Sequence, residues 1–239
     1  MIIDQIMVFL SELAILFPAF LLVFTFRGFF KALIAKLMGD DTAVQEGFFS
    51  LNPLAHIDFL GLGIMLLLLV VIASLLVGIF PPGFLFLLFI LLGVRWSFPV
   101  TIEERNFKNY TLGVIFTSLA GSLGCFFLAL IFLYLVSYFP YSYFPGYVVV
   151  TLVEVFRAVI ELSVFFGVLD LIPIPPFQAG KLLQFILPKS WHHYISVLEE
   201  YSLYVFLALF FLPGIRDVFF RFLFLLSVLV KKGLLFLVL

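Results

Sequence analysis

The chain is a succession of long apolar runs separated by short polar or proline-rich breaks. Residues 6–30 are almost continuously apolar, and the pattern continues to Met38, where Gly39-Asp40-Asp41 stops it with a glycine cap and two charges. About twenty apolar residues span a bilayer as a helix, so this run predicts a first membrane helix. Residues 42–58 are mixed and carry Asn52-Pro53, a turn signal. A second span is predicted over 59–80, closed by Pro81-Pro82-Gly83. Residues 84–94 are apolar but reach only about 16 Å as a helix, short for a crossing, so they are tilted, re-entrant or buried in protein. After a polar loop over 95–108, spans follow over 112–139 and 147–169, with an aromatic turn at 140–146 between them. A short helix over 181–188, an interfacial segment over 189–200 and a helical hairpin over 201–212 and 218–230 complete the pattern.

Composition turns this pattern into a class. Of 239 residues, 65% are hydrophobic and 11% charged, with a mean hydropathy of +1.30. No water-soluble domain carries so apolar a surface. The expected fold is an all-α polytopic membrane protein with about six or seven membrane segments. It forms one transmembrane domain over 1–239, with a core over about 6–188 and the C-terminal hairpin over about 199–239. The lipid bilayer is its first partner. The net charge of −1 offers nothing to nucleic acid, and one cysteine, Cys125, makes neither an internal disulfide nor a cysteine zinc site. The 35 phenylalanines are read as lipid-facing bulk. Without a basic stretch before it, the first run is expected to be a retained helix. Arg27, Lys31, Lys36, Arg95, Arg105, Lys108, Lys181, Lys189 and Lys231-Lys232 mark the cytoplasmic side, placing the N-terminus outside and the C-terminus inside.

The segment 170–180, Asp-Leu-Ile-Pro-Ile-Pro-Pro-Phe-Gln-Ala-Gly, ends a span and sets prolines at 173, 175 and 176. Proline removes backbone donors, and such backbone persists at membrane depth only where protein or a water-filled cavity covers it. The segment resembles the Asn-x-x-Pro-x-Pro-Pro-x-Asp-Gly stretch of the site-2 protease family, intramembrane zinc metalloproteases. Three more stretches resemble that family in its order. Phe26-Arg27-Gly28-Phe29-Phe30-Lys31-Ala32, with the Ala35-Lys36 to Gly39-Asp40 run, stands where the family has His-Glu-x-x-His-Ala. Leu51-Asn52-Pro53-Leu54-Ala55-His56-Ile57-Asp58 nearly repeats a family motif. Trp96, Pro99 and Val100 with Ala120-Gly121-Ser122 are similar to its Pro-Val loop and Ala-Gly-Pro helix.

The resemblance implies a protease-like helical core, and the departures fall on its chemistry. Zinc takes nitrogen, oxygen or sulfur ligands. The positions of the two His and the Glu hold Phe26, Phe30 and Arg27, and the ligating Asp position holds Gln178. Phenyl rings do not ligate zinc, and a guanidinium stays protonated. The Asn before the prolines reads Asp170. His56, His192 and His193 are the only histidines; the adjacent pair beside Trp191 and Tyr194 reads as an interfacial belt. The expectation is therefore no zinc, no other cofactor and no catalysis. Such a chain is a pseudoprotease of a prokaryotic inner membrane that acts by binding, as a structural, assembly or regulatory subunit among other membrane proteins. The alternatives are a transport component and a protease with unorthodox ligands.

Two charge groups carry candidate roles. Arg27 lies within a span, where a charge costs roughly 2.5–3.5 kcal/mol at the centre and takes a partner. Asp170 is the candidate, and snorkelling to the helix end is the other outcome. Glu154, Arg157 and Glu161 share one helix face and form either a buried ion-pair network, a subunit interface or an ion path. Gly61, Gly63, Gly121 and Gly124 suit close helix packing.

Overall fold

In a computed structural model that describes residues 2–57, 100–175 and 177–238, the chain is helical. The second predicted span, the Pro81-Pro82-Gly83 turn, the short segment 84–94, Trp96, Pro99, Gly61 and Gly63 lie outside the described residues. Helix α1 (Ile2–Met38) passes Pro18 without ending. It stops where Gly39 takes a positive φ of 111°. Gly39 N–H then donates to the Lys36 carbonyl and Asp40 N–H to that of Ala35, both at 3.0 Å, which satisfies the last turn of the helix. A single turn, α2 (Thr42–Gln45), follows. Asn52 then caps the 3₁₀ turn Pro53–Ala55 by accepting from Leu54 N–H.

Helix α3 (Tyr110–Tyr138) begins at Asn109, whose side chain accepts from Leu112 N–H. Helix α4 (Gly146–Asp170) returns along it. The 3₁₀ turn Gln178–Leu182 leads into α5 (Leu183–Ile186). Helices α6 (His192–Glu200), α7 (Ser202–Phe211) and α8 (Ile215–Val238) complete the order. The stretches Leu13–Met38 and Tyr110–Tyr138 are each long and apolar enough to cross a membrane.

Helices α1, α3 and α4 form a three-helix core, and α8 lies against it. Phe20, Val23 and Phe24 meet Cys125, Leu128 and Ala129 and also Val159, Val164 and Phe166, with Phe219 and Leu223 from α8. The Phe166 ring sits 5.9 Å from Phe20, edge on, and 5.2 Å from Phe24. In lipid, burying these groups gains little desolvation, so their value is close packing.

The C-terminal hairpin departs from expectation. Its second helix runs past Lys231-Lys232 to Val238 because Leu234 packs into the core. The Tyr138 hydroxyl donates to the Val238 carbonyl at 3.3 Å. The far end of α8 therefore lies beside the end of α3, while Lys108 N–H binds the Met38 carbonyl at the opposite end. The sequence pattern set the C-terminus on one side with the 95–108 loop, whereas in the fold Val238 and Lys108 lie at opposite ends of α3. Lys231 pairs with Glu161 of α4.

Candidate functional site

Arg27 sits on α1, Asp170 is the last residue of α4, and Gln178 opens the 3₁₀ turn beyond the prolines. The fold brings all three together. Arg27 Nε donates to Asp170 Oδ2 at 2.6 Å and Nη2 donates to Oδ1 at 2.7 Å, a two-pronged ion pair. With its oxygen turned toward the guanidinium, the Gln178 amide accepts from Nε at 3.1 Å and from Nη2 at 2.8 Å. The Asp170 side chain is 3% exposed and that of Arg27 21%, so the pair has little water to lean on. Phe24 lies under the guanidinium, 5.9 Å from ring centre to Cζ.

Helix α3 reaches this network through two glycines. A Cβ on Gly121 would stand 2.8–2.9 Å from the Gln178 amide group and 2.9 Å from Asp170 Oδ2. One on Gly124 would stand 2.7 Å from the Phe26 carbonyl oxygen and 2.9 Å from Phe30 Cβ. Phe26, Arg27, Phe30, Asp170 and Gln178 thus crowd one strip of α3, and the Phe30 ring continues against Phe127 at 5.4 Å.

The proline segment is held by consecutive turns. Ile172 N–H donates to Leu169, Ile174 N–H to Ile172, Phe177 N–H to Ile174 and Gly180 N–H to Phe177, at 2.8–3.2 Å. Backbone N–H groups that lie outside a helix are thus satisfied locally. Gly180 lies so close to Pro175 that a Cβ would meet its nitrogen at 2.8 Å. Phe177 stacks on Phe219 of α8 with ring centres 6.2 Å apart.

The implied zinc does not fit this arrangement. Around Arg27, Asp170 and Gln178 supply oxygen donors, and both are turned to the guanidinium. A dication there would face a fixed positive charge and two phenyl rings. Among the described residues no three His, Cys, Asp or Glu side chains group as a ligand set. His56 is packed between helices: Nε2–H donates to the Ser50 carbonyl at 2.8 Å, and its ring lies against Gly28. Burial pushes its pKa down from the usual histidine value, although the Ser50 bond opposes this. His192 and His193 are exposed beside Trp191 and Tyr194.

The face of Glu154, Arg157 and Glu161 is not a buried network. All three are exposed, and Glu161 pairs with Lys231 instead of with its neighbours on α4. A second polar centre escaped sequence reasoning. Asp40 is buried and accepts from Thr42 Oγ1 at 2.6 Å, Thr42 N–H at 3.2 Å, Asn106 Nδ2 at 2.9 Å and Glu103 N–H at 2.9 Å. Burial pushes its pKa up, but these hydrogen bonds outweigh that and hold it below the usual carboxylate value. The Gly39-Asp40 run was its signal.

No family model and no solved structure matches the chain. Over 206 residues it is 26% identical to a Bacillus subtilis (strain 168) protein named "Putative zinc metalloprotease YwhC", across 85% of this chain and 83% of that protein. This bears out the resemblance to intramembrane metalloproteases. It also overturns the expectation that the chain is no enzyme, because a relative matched over most of its length is named as one. The misfit of zinc to Phe26, Arg27, Phe30 and Gln178 is a separate fact, and no zinc-dependent step is derived from them.

Proposed function

We propose that the chain is a multi-pass membrane protein on a metalloprotease scaffold that engages membrane-embedded segments of partner proteins as a structural, assembly or regulatory subunit of a membrane complex. The observation that carries this reading is the closed Arg27–Asp170 pair with Gln178. It stands at the position of the family's chemistry and joins α1 to the proline segment. Its role is to hold that junction as a rigid backbone frame. A closed pair favours this over conduction, which needs charges open to a water path.

The proposed topology has about six or seven membrane segments, with the N-terminus outside. The grouping of Lys108 beside the end of α1 and of Lys181 with Glu104 supports a common cytoplasmic side for these loops. Purification from the native membrane in mild detergent, with quantitative mass spectrometry, tests the subunit role. The expected result is a membrane protein at fixed stoichiometry. A chain that purifies alone, with no partner captured by in-membrane cross-linking, would overturn it.

A further inference from the structure

Beside the Arg27 network, toward the end of α1, lies a cavity of about 140 Å³. Lys31 enters it from α1, Thr117 and Ser118 from α3, Gln178 and Lys181 from the turn after the prolines, and Glu104 from the polar loop. The 100–102 stretch supplies an apolar wall.

Among the described residues, the hydrogen-bonding inventory of this space is weighted toward donors. Lys31 makes no hydrogen bond or ion pair among the described residues, and an ammonium only donates. Ser118 is 4% exposed and its buried hydroxyl has no partner among the described residues. Gln178 turns its oxygen to Arg27, which leaves its NH₂ group as a donor. Thr117 spends its proton on the Gly113 carbonyl at 2.7 Å. Glu104, the sole carboxylate on the wall among the described residues, is occupied by Lys181 and by the Tyr110 hydroxyl at 3.3 Å. Among the described lining residues, two cations against one anion leave one positive charge over. Unfilled donors thus converge from three separate elements on one space.

We propose that this cavity binds a phosphate-type oxyanion, carried by a free phosphate ester or by a lipid headgroup. A tetrahedral oxyanion offers acceptors in several directions at once, which suits donors on α1, α3 and the proline-proximal turn. Lysine is a common point-charge partner of phosphate. Lys31 lies within two turns of the end of α1. The site is independent of the partner role proposed above, since the isolated chain carries all of it.

The test uses the full chain, first in maltoside detergent with inorganic phosphate, then in phosphatidylcholine nanodiscs with and without phosphatidate. Saturable thermal stabilisation is expected. Stabilisation by free phosphate assigns the site to a soluble ester; stabilisation by phosphatidate alone assigns it to a headgroup. Lys31→Gln weakens binding roughly ten- to a hundredfold and Ser118→Ala about tenfold, as lost hydrogen bonds to a charged ligand do. Lys36→Gln, an exposed lysine on the same helix, leaves it unchanged. Should Lys31→Gln not fold, Ser118→Ala decides. The proposal is overturned if neither probe stabilises the chain, if Lys31→Gln and Ser118→Ala bind like the parent, or if Lys36→Gln loses as much affinity as Lys31→Gln.

Discussion

Two buried carboxylates hold this fold in different ways. Asp40, at the end of α1, has no paired cation among the described residues and is satisfied by four hydrogen bonds from three residues. Asp170, at the end of α4, is satisfied by a single guanidinium 143 positions earlier in the chain. The first lies in a loop region where backbone N–H groups are free to turn toward it. The second lies at the end of a helix against packed glycines and phenyl rings, where no loop donors are at hand and a counter-charge is required. Many neutral donors make a tolerant site. One bidentate cation makes a brittle site.

The comparison predicts unequal responses. Arg27→Ala or Asp170→Ala leaves a charge buried without its partner and should cost about 3–5 kcal/mol, read as a large fall in unfolding temperature in mild detergent. Arg27→Lys should recover only part of this, because a point charge does not replace the two-pronged contact. Asp40→Ala should cost less, about 2–3 kcal/mol, since several donors lose one acceptor but loop groups can turn to water. Gly121→Ala should cost about 1–2 kcal/mol by forcing a methyl group into the Gln178–Asp170 contact. If it instead destabilises no more than a substitution at the open Gly233, α3 does not press on the network.

The smallest effect is on pH dependence. His56 has a folded pKa below its usual 6.5, so its contribution to stability is complete above pH 6.5 and is lost as pH falls toward the folded value. Asp40 has a folded pKa below 3.8, so its contribution is complete above that and is lost as pH falls through the folded value. Acidification should therefore lower the unfolding temperature in two stages, His56 first. Asp40→Asn should remove the lower stage and leave the upper. An unchanged lower stage in that variant would separate Asp40 from acid sensitivity.

Local signals in the chain were legible because their causes are local. The Gly39 stop, the Asn52-Pro53 turn and the break around the prolines all depend on neighbours a few positions away. Arg27 and Asp170 were each visible as charges that a membrane span does not leave alone, and the structure places them in contact. The loop partners of Asp40 were not visible, because Glu103 and Asn106 lie more than 60 positions away. Lys231 was read as a surface mark because charge counting takes no account of Glu161, 70 positions earlier. The donor-lined cavity depends on three elements converging, and no spacing along the chain encodes it. The zinc-ligand positions were legible as departures from a pattern, but a departure at four positions did not settle whether the chain is an enzyme; the relative bears on that.

The most direct test of the central claim is a double-mutant cycle on Arg27→Ala and Asp170→Ala, followed by thermal unfolding of the full chain in detergent. The account predicts that each single variant loses several kcal/mol and that the double variant loses little more than the worse of the two, a coupling of at least about 2 kcal/mol. Additive effects, or an Arg27→Ala protein that unfolds with the parent, would contradict it.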